Sequence, residues 1–272
     1  MSIMNDKAAR KISLIIVGDE ILSGRRQDKH LSKIIELLAA RGMQLSRAEF
    51  LPDDLETLIA AYKRSFASGD IVFSSGGIGA TPDDKTRTAV AQALDVPLAL
   101  HPEAERLITE RFAQLALEGR GTHDPGSPEN QRRLAMGVFP VGAEIVPNPY
   151  NRIPGFFIQD HTFVPGFPEM AWPMVEWTLD NRYADYQNLS QLVSHNILAY
   201  GVPESRITPA LEHIETNWAG ISTFSLPTMG QGAGAYIDLG VKGEEPAATA
   251  AFDYLKGEIL RVGGRFHPDK PV

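Results

Sequence analysis

The stretch "SSGGIGATPDDKTRTAV", Ser74 to Val90, sets three glycines, a proline and two adjacent aspartates just before a helix-like pattern. Glycine-rich loops ahead of helices let backbone N–H groups approach an anion, and the helix N-terminus adds favourable partial charge. Gly76, Gly77 and Gly79 are therefore candidate phosphate-binding positions, with Ser75 at the loop entrance. The familiar glycine motifs do not fit, because Pro82 interrupts both the dinucleotide and the Walker pattern. A tight turn built from positive-φ residues is the alternative reading. Asp83 and Asp84 would repel a phosphate. One of them can cap the helix. The second is accounted for if a cation bridges carboxylate and phosphate, as Mg²⁺ does. The expectation is a divalent cation (Mg²⁺, Mn²⁺ or Co²⁺) held by Asp84, together with Asp83, Asp53 or Glu20. It would polarise a phosphoryl group and position a water. Asp84, Asp53 and Asp83 are thus the candidate catalytic residues. A solvated acidic patch is the other reading.

Two more loops are placed to converge on the first. "GDEILSGRRQDKH" follows an apolar run and offers Gly18, Asp19, Glu20, Ser23, Gly24 and Asp28. "PDD" at Pro52–Asp54 follows a second strand-like stretch. Thr81 and Thr86 add hydroxyls, which more often make local caps. "VPGFPEM" ends another strand-like stretch and places Gly166 and Glu169 on the same edge. Ligands of open α/β folds bind at the carboxyl ends of the strands, where these loops lie.

The elements that would hold them follow from hydrophobic periodicity. "ISLIIVG" reads as a strand buried on both faces. Leu31, Ile34, Ile35 and Leu38 recur at helical spacing between Asp28 and Arg41. "MQLSRAEFL" alternates as a strand, "DDLETLIAAYKRSF" is helical, and "DIVFSS" is a third buried strand. This rhythm predicts an α/β fold, a right-handed, doubly wound parallel sheet. "HPEAERLITERFAQLALEG" adds a helix, and Arg120 to Asn130 reads as a polar loop. "EIVPNPYNRIPGFFIQDHTFVPGFPEM" shows two short strand-like pieces. "EMAWPMVEWTLDNRY" is helical, with Pro173 near its start or at a kink. Trp172 and Trp177 read as packing residues. The polar "DNRYADYQN" marks a boundary, giving residues 1–184 and 185–272. The second part runs β-α-β-β-α, a small α+β module, with "GQGAG" at Gly230–Gly234 as a hairpin connection.

The chain has 272 residues and a formal net charge of −8, which opposes general nucleic-acid binding. An anionic ligand then needs local donors or a metal. With no cysteine, disulfides, thiolate metal sites and cysteine nucleophiles are excluded together. The seven histidines form no His-Glu-x-x-His pattern. The absence of a signal-peptide core and of a bilayer-spanning run gives the expectation of a cytoplasmic protein with no membrane partner.

"VGDEILSGRRQDKH", "PDD", "SSGGIGATPDDKT" and "VPGFPEM" together resemble the molybdopterin-binding MoaB/Mog-type domain. The likeness is greatest to the N-terminal part of the CinA (competence-damage-inducible protein A) family and to the related domain of FAD synthases. "ENQRRLAMGVFPVGAEIVPNPYNRIPGF" is similar to that family's middle segment, with Asn130, Asn148, Pro154 and Gly155 at recurring positions. "YGVPES" is similar to the small module that follows in CinA proteins. The resemblance implies a three-layer α/β/α domain with a mostly parallel sheet, MoaB/Mog-like, followed by the small α+β module. It implies a site for a nucleotide or pterin phosphate at the strand ends, with Asp53 and Asp84 at the positions of the family's conserved aspartates. It also implies a homo-oligomer. One branch binds molybdopterin or adenylylates it. The other is associated with metal-dependent pyrophosphate cleavage of ADP-ribose or FAD, and "GDEIL" and "TPDD" lie nearer to it. A non-catalytic nucleotide-binding scaffold is a third possibility. Two departures stand out. Asp28-Lys29-His30 replaces the usual Asp-x-Asn, putting an imidazole in place of an amide. The C-terminal deamidase domain of full-length CinA proteins has no counterpart here, so deamidation is not expected.

Overall fold

The structure is a computed structural model that describes residues 10–187, 192–228 and 235–266. The chain divides into two compact units, Met1–Leu189 and Ser190–Val272.

In the first unit, β1 (Ile12–Val17) is buried at all six positions, as its uninterrupted apolar run requires. The one-turn α1 (Asp19–Leu22), α2 (His30–Ala39), β2 (Leu45–Leu51), α3 (Leu55–Ser68) and β3 (Ile71–Ser75) follow. Then come α4 (Thr86–Leu94), β4 (Leu98–Leu100), α5 (Pro102–Leu117), α6 (Pro128–Ala135) and β5 (Val138–Pro140). The unit ends with β6 (Glu144–Val146), β7 (Gly155–Ile158), β8 (His161–Val164) and α7 (Pro168–Arg182). The main sheet has the order β2-β1-β3-β8-β7-β6. β2, β1, β3 and β8 are parallel, and β7 runs antiparallel to both of its neighbours.

Strand alternation makes this a three-layer domain. Ile15 and Val17 face a core completed by Leu58, Tyr62, Val90, Ile108 and Phe112. Leu14 and Ile16 face the opposite core, completed by Ile34, Leu38, Met174, Val175 and Leu179. In α2 the buried residues are Ile34, Leu37 and Leu38, whereas Ile35 is exposed. Trp172 and Trp177 pack partly buried against the second core. No helix among the described residues is long and apolar enough to cross a membrane.

Three expectations are corrected. The segment read as a loop up to Asn130 contains the start of α6. Ser127 accepts from the Asn130 amide, Pro128 occupies the first turn, and the buried Asn130 side chain donates to the Thr122 and Asp124 carbonyls at 2.8 Å each. The two strand-like pieces after Ala143 are three strands, because Gln159 and Asp160 both take positive φ and close a two-residue hairpin between β7 and β8. Pro173 lies well inside α7, which continues through it to Arg182.

The second unit contains β9 (Leu192–Tyr200), α8 (Glu204–Asn217), β10 (Ser222–Pro227), β11 (Tyr236–Glu244) and α9 (Ala247–Arg261). Its antiparallel sheet has β11 at the centre. Leu239 and Val241 pack against Ile207 and Ile214 of α8 and Leu255 and Ile259 of α9. The Gly230–Gly234 connection lies outside the described residues.

His161, at the start of β8, is buried between the Gln159 carbonyl and the Ser65 hydroxyl, at 2.8 Å from each. A carbonyl only accepts, so Nδ1 carries the proton and Nε2 accepts from Ser65. Burial pushes this imidazole down from 6.5 to about 4. The unfolded chain therefore takes up a proton that the folded chain refuses in that window. The contribution is complete above pH 6.5 and should fall away towards pH 4, by roughly 3 kcal/mol. Urea unfolding across this range should show the loss, and His161→Gln should flatten it. An unchanged slope in the variant would place the acid sensitivity elsewhere.

Candidate functional site

The carboxyl ends of β1, β2, β3 and β8 lie side by side, and their loops form the site. The β1 and β2 loops are tied reciprocally. The Asp19 amide donates to Asp53 Oδ2 at 3.0 Å, and the Asp53 amide to Asp19 Oδ1 at 3.3 Å. Gly18 donates its N–H to the Leu51 carbonyl. Asp54 does different work, capping α3 by accepting from the Thr57 amide and hydroxyl.

After β3 the backbone turns through Gly76 and Gly77, both at positive φ. A Cβ on Gly76 would collide with the Val17 carbonyl oxygen, and one on Gly77 with Thr86 Oγ1. One on Gly79 would meet Asp84 Oδ2 at 2.6 Å. The loop then shows a consistent polarity. The Gly76 carbonyl accepts from Thr86 Oγ1 and the Gly77 carbonyl from the Thr86 amide, both at 3.0 Å. The Ile78 and Gly79 carbonyls accept from the Arg87 guanidinium. Four successive carbonyls are thus engaged by the start of α4. In a trans peptide the next N–H points the opposite way. The amides of Gly77, Ile78, Gly79 and Ala80 therefore face away from Thr86 and Arg87. Gly79 donates to Asp84 Oδ1 at 2.7 Å. The other three find no acceptor among the described residues. Successive outward amides of this kind form an anion-binding concavity.

Asp84 and Asp83 differ in position. The Asp84 carboxylate accepts from the Gly79 amide, the Thr81 amide and the Thr81 hydroxyl, and so closes the loop. Neither aspartate caps α4, which corrects that expectation. The helix starts at Thr86 with no side-chain cap, and Asp84 turns back because the loop offers it three donors. Asp83 is exposed. Asp53 lies at the centre of the acidic groups. Burial raises its carboxyl above the usual range, and the charges of Asp19, Glu20 and Asp83 push the same way, against the Asp19 amide bond. Lys85 Nζ reaches the Asp53 carbonyl at 2.8 Å, tying the second loop to the third. Among the described residues no group of three or more histidine, aspartate or glutamate side chains forms a ready-made metal cage. A cation can still be met by one or two carboxylates plus ligand phosphates. Asp53 fits that role, because a positive charge would relieve its surroundings.

A cavity of about 310 Å³ adjoins the loop, lined by Glu20, Arg26, Lys29, His30, Phe167 and Glu169 among others. His30 Nε2 lies 3.1 Å from the Gly166 carbonyl and 3.2 Å from Ser75 Oγ, which itself donates to the Pro165 carbonyl. Nε2 therefore carries the proton. Three sequence candidates prove to be braces. Asp28 accepts from the His30 and Leu31 amides, Ser75 is buried between His30 and Pro165, and Thr86 is fully buried. Ser23 and Gly24 lie on the exposed turn after α1. Two further contributors come from the structure. Arg87, which in sequence suits either a balance for ligand charge or a solubilising charge, turns its half-buried side chain under the loop. Ile78 supplies an amide that no residue-type signal marks.

Residues 13–184 match the family described as "Probable molybdopterin binding domain", and the chain belongs to that family. Its fold is a three-layer α/β/α domain with a mostly parallel sheet, followed by a small α+β module. A CinA-like protein of Anaeromyxobacter sp. (strain Fw109-5) is 31% identical over 209 residues, covering 75% of this chain and 48% of that protein. A protein of Pyrobaculum arsenaticum is 30% identical over 205 residues, covering 74% of each. The crystal structure of the protein CinA with unknown function from Thermoplasma acidophilum matches with a TM-score of 0.53 at 26% identity. That match covers 63% of this chain and 98% of that one. The chain spans about half the length of the CinA-like relatives it matches.

The glycines separate by what surrounds them. Gly76→Ala should cost about 1–3 kcal/mol or more, because backbone opposes the new methyl. Gly166→Ala places its Cβ at an ordinary 3.6 Å from Gly76 Cα and should stay within about 0.5 kcal/mol of the wild type. Urea unfolding of both variants checks the contrast, and equal stabilities would reject this account of the loop.

Proposed function

We propose that the site binds a nucleotide or pterin phosphate on the outward amides of Gly77, Ile78 and Ala80, and hydrolyses a nucleotide pyrophosphate such as ADP-ribose or FAD. The observation that carries this reading is the set of three amides, of Gly77, Ile78 and Ala80, that find no acceptor among the described residues, in the same loop cluster as a carboxylate, Asp53, that is disfavoured as an anion where it stands. Phosphate oxygens satisfy the amides. Asp53, with Glu20, Asp83 or the free face of Asp84, would hold a divalent cation. When bound, such a cation supplies Lewis-acid stabilisation at a phosphoryl oxygen. Asp84 holds the amides in place, and Lys85 holds the Asp53 segment. The cavity beside the loop accepts the part of the ligand beyond the phosphate, with Glu20 and Glu169 as acceptors for its hydroxyl or N–H groups.

The family description supports a second reading, in which molybdopterin is the ligand, either carried or adenylylated with ATP. It uses the same amides for the pterin phosphate and the cavity for the ring. A chain that retains molybdopterin and turns over no pyrophosphate would select this reading. Nucleotide binding without turnover across Mg²⁺, Mn²⁺ and Co²⁺ would select a scaffold.

The two aspartates should separate in kinetics. Asp53→Asn should remove most metal-dependent release of AMP from ADP-ribose or FAD and raise the metal concentration needed for the rest. Asp84→Asn loses an acceptor for the loop and should weaken nucleotide binding, in addition to any share Asp84 has in the metal. The raised Asp53 carboxyl also gives a sign to the pH dependence. Metal affinity should decline with acidification from a higher pH than an ordinary aspartate would allow. Wild-type metal dependence in Asp53→Asn would remove the assignment.

A further inference from the structure

We infer that Arg87 is a positioning residue that sets the loop's polarity and places a positive charge beneath the bound phosphate. This rests on the phosphate reading above. Arg87 lies in the first turn of α4, and its guanidinium turns under the glycine loop. It donates to the Ile78 carbonyl, to the Gly79 carbonyl at 2.6 Å and to the Met136 carbonyl at 3.5 Å. Met136 closes the C-terminal end of α6, where cations are favoured by the helix dipole. All its hydrogen-bond acceptors are neutral carbonyls, and the Asp84 carboxylate acts on it through charge without a direct ion pair among the described residues.

Two consequences follow from elementary geometry. The Ile78–Gly79 peptide is gripped from both sides, by Arg87 at its oxygen and by Asp84 Oδ1 at its N–H. The Gly79–Ala80 peptide is held at its oxygen alone, which leaves the Ala80 N–H aimed away from the guanidinium. Arg87 thereby turns one free amide outward and locks the amide beside it. Its charge has a second effect. A half-buried cation hydrogen-bonded to carbonyls attracts an anion across the loop backbone, with the Asp84 carboxylate offsetting part of its charge. The attraction scales with ligand charge, so the loop should discriminate pyrophosphate groups from neutral analogues more strongly than amides alone would. Lysine cannot reproduce this, because one ammonium does not span two adjacent carbonyls in a fixed plane.

Titration calorimetry with ADP-ribose, ADP, AMP and adenosine tests the inference on the full chain. Arg87→Met should weaken ADP and ADP-ribose at least about tenfold, AMP less, and adenosine hardly at all. Arg87→Lys should fall between, restoring the charge and not the geometry. Hydrogen exchange on the ligand-free protein gives an independent readout. The Gly79 amide should lose protection in Arg87→Met and keep part of it in Arg87→Lys. Equal weakening of all four ligands would reduce Arg87 to a folding role and overturn the inference. So would wild-type ADP affinity in Arg87→Met. Failure of the wild type to bind any of the four overturns the nucleotide reading and this inference together, whereas normal wild-type binding with an indifferent Arg87 overturns this inference alone.

Discussion

Four consecutive carbonyls, from Gly76 to Gly79, turn toward the first two residues of α4. The rest of the site depends on this arrangement. A backbone carbonyl cannot be redirected without redirecting the amide joined to it, so engaging the oxygens exposes the nitrogens on the other side. Gly77 is half-buried and Ala80 exposed, so their amides are open to an acceptor from outside the chain, water or an anion. The close approach of Gly76 to the Val17 carbonyl makes this geometry possible. It lets the end of β3 press against β1, and thereby brings the β1 and β2 loops within reach of the same ligand.

The charges around the loop divide the work. On one side stand Asp19, Glu20, Asp53 and Asp83, in a chain whose net charge is already −8. On the other stands Arg87, half-buried and hydrogen-bonded to carbonyls, with the Asp84 charge acting on it. On the phosphate reading, a phosphate between them would meet attraction from below and repulsion from the acidic side, and a divalent cation held by the acidic residues would offset that repulsion. The two aspartates of the loop are therefore unequal. Asp84 spends most of its hydrogen-bonding capacity on the Gly79 and Thr81 donors, which fixes the amides. Asp53 keeps an oxygen that no donor takes among the described residues.

Most of the first unit was legible in sequence because its signals are local. The buried run of β1, the helical spacing of α2 and α3 and the glycine loop all announce themselves within a few residues. What escaped was of two kinds. The β7–β8 hairpin turns on Gln159-Asp160, residues outside the usual glycine or asparagine turn chemistry, so only its geometry reveals it. The start of α6 carried a readable signal, Ser127 followed by Pro128, but the polar residues around it masked the helix. The roles of Asp28, Ser75 and Thr86 depended on direction. Their residue types suit a ligand, and only their partners show that they brace the loop ends instead. The role of Arg87 depended on direction too, since nothing in "DKTRTAV" tells which way a guanidinium turns.

The cavity beside the loop constrains what a phosphate can be attached to. Glu20 belongs both to the acidic group around Asp53 and to the cavity lining, so loop and cavity form one continuous surface. The His30 proton is already committed to Gly166 and Ser75, which leaves that imidazole as a brace between α2, β3 and β8. The cavity keeps two carboxylates as acceptors, two cations and an exposed Phe167 ring. Such walls suit a polar group rich in hydroxyl or N–H donors and leave an alkyl chain without partners. On the phosphate reading, a bare phosphate fills the amides and leaves the cavity to water. A ligand that joins phosphate to a polyol or a heterocycle satisfies both, and the shared Glu20 makes its two halves felt together.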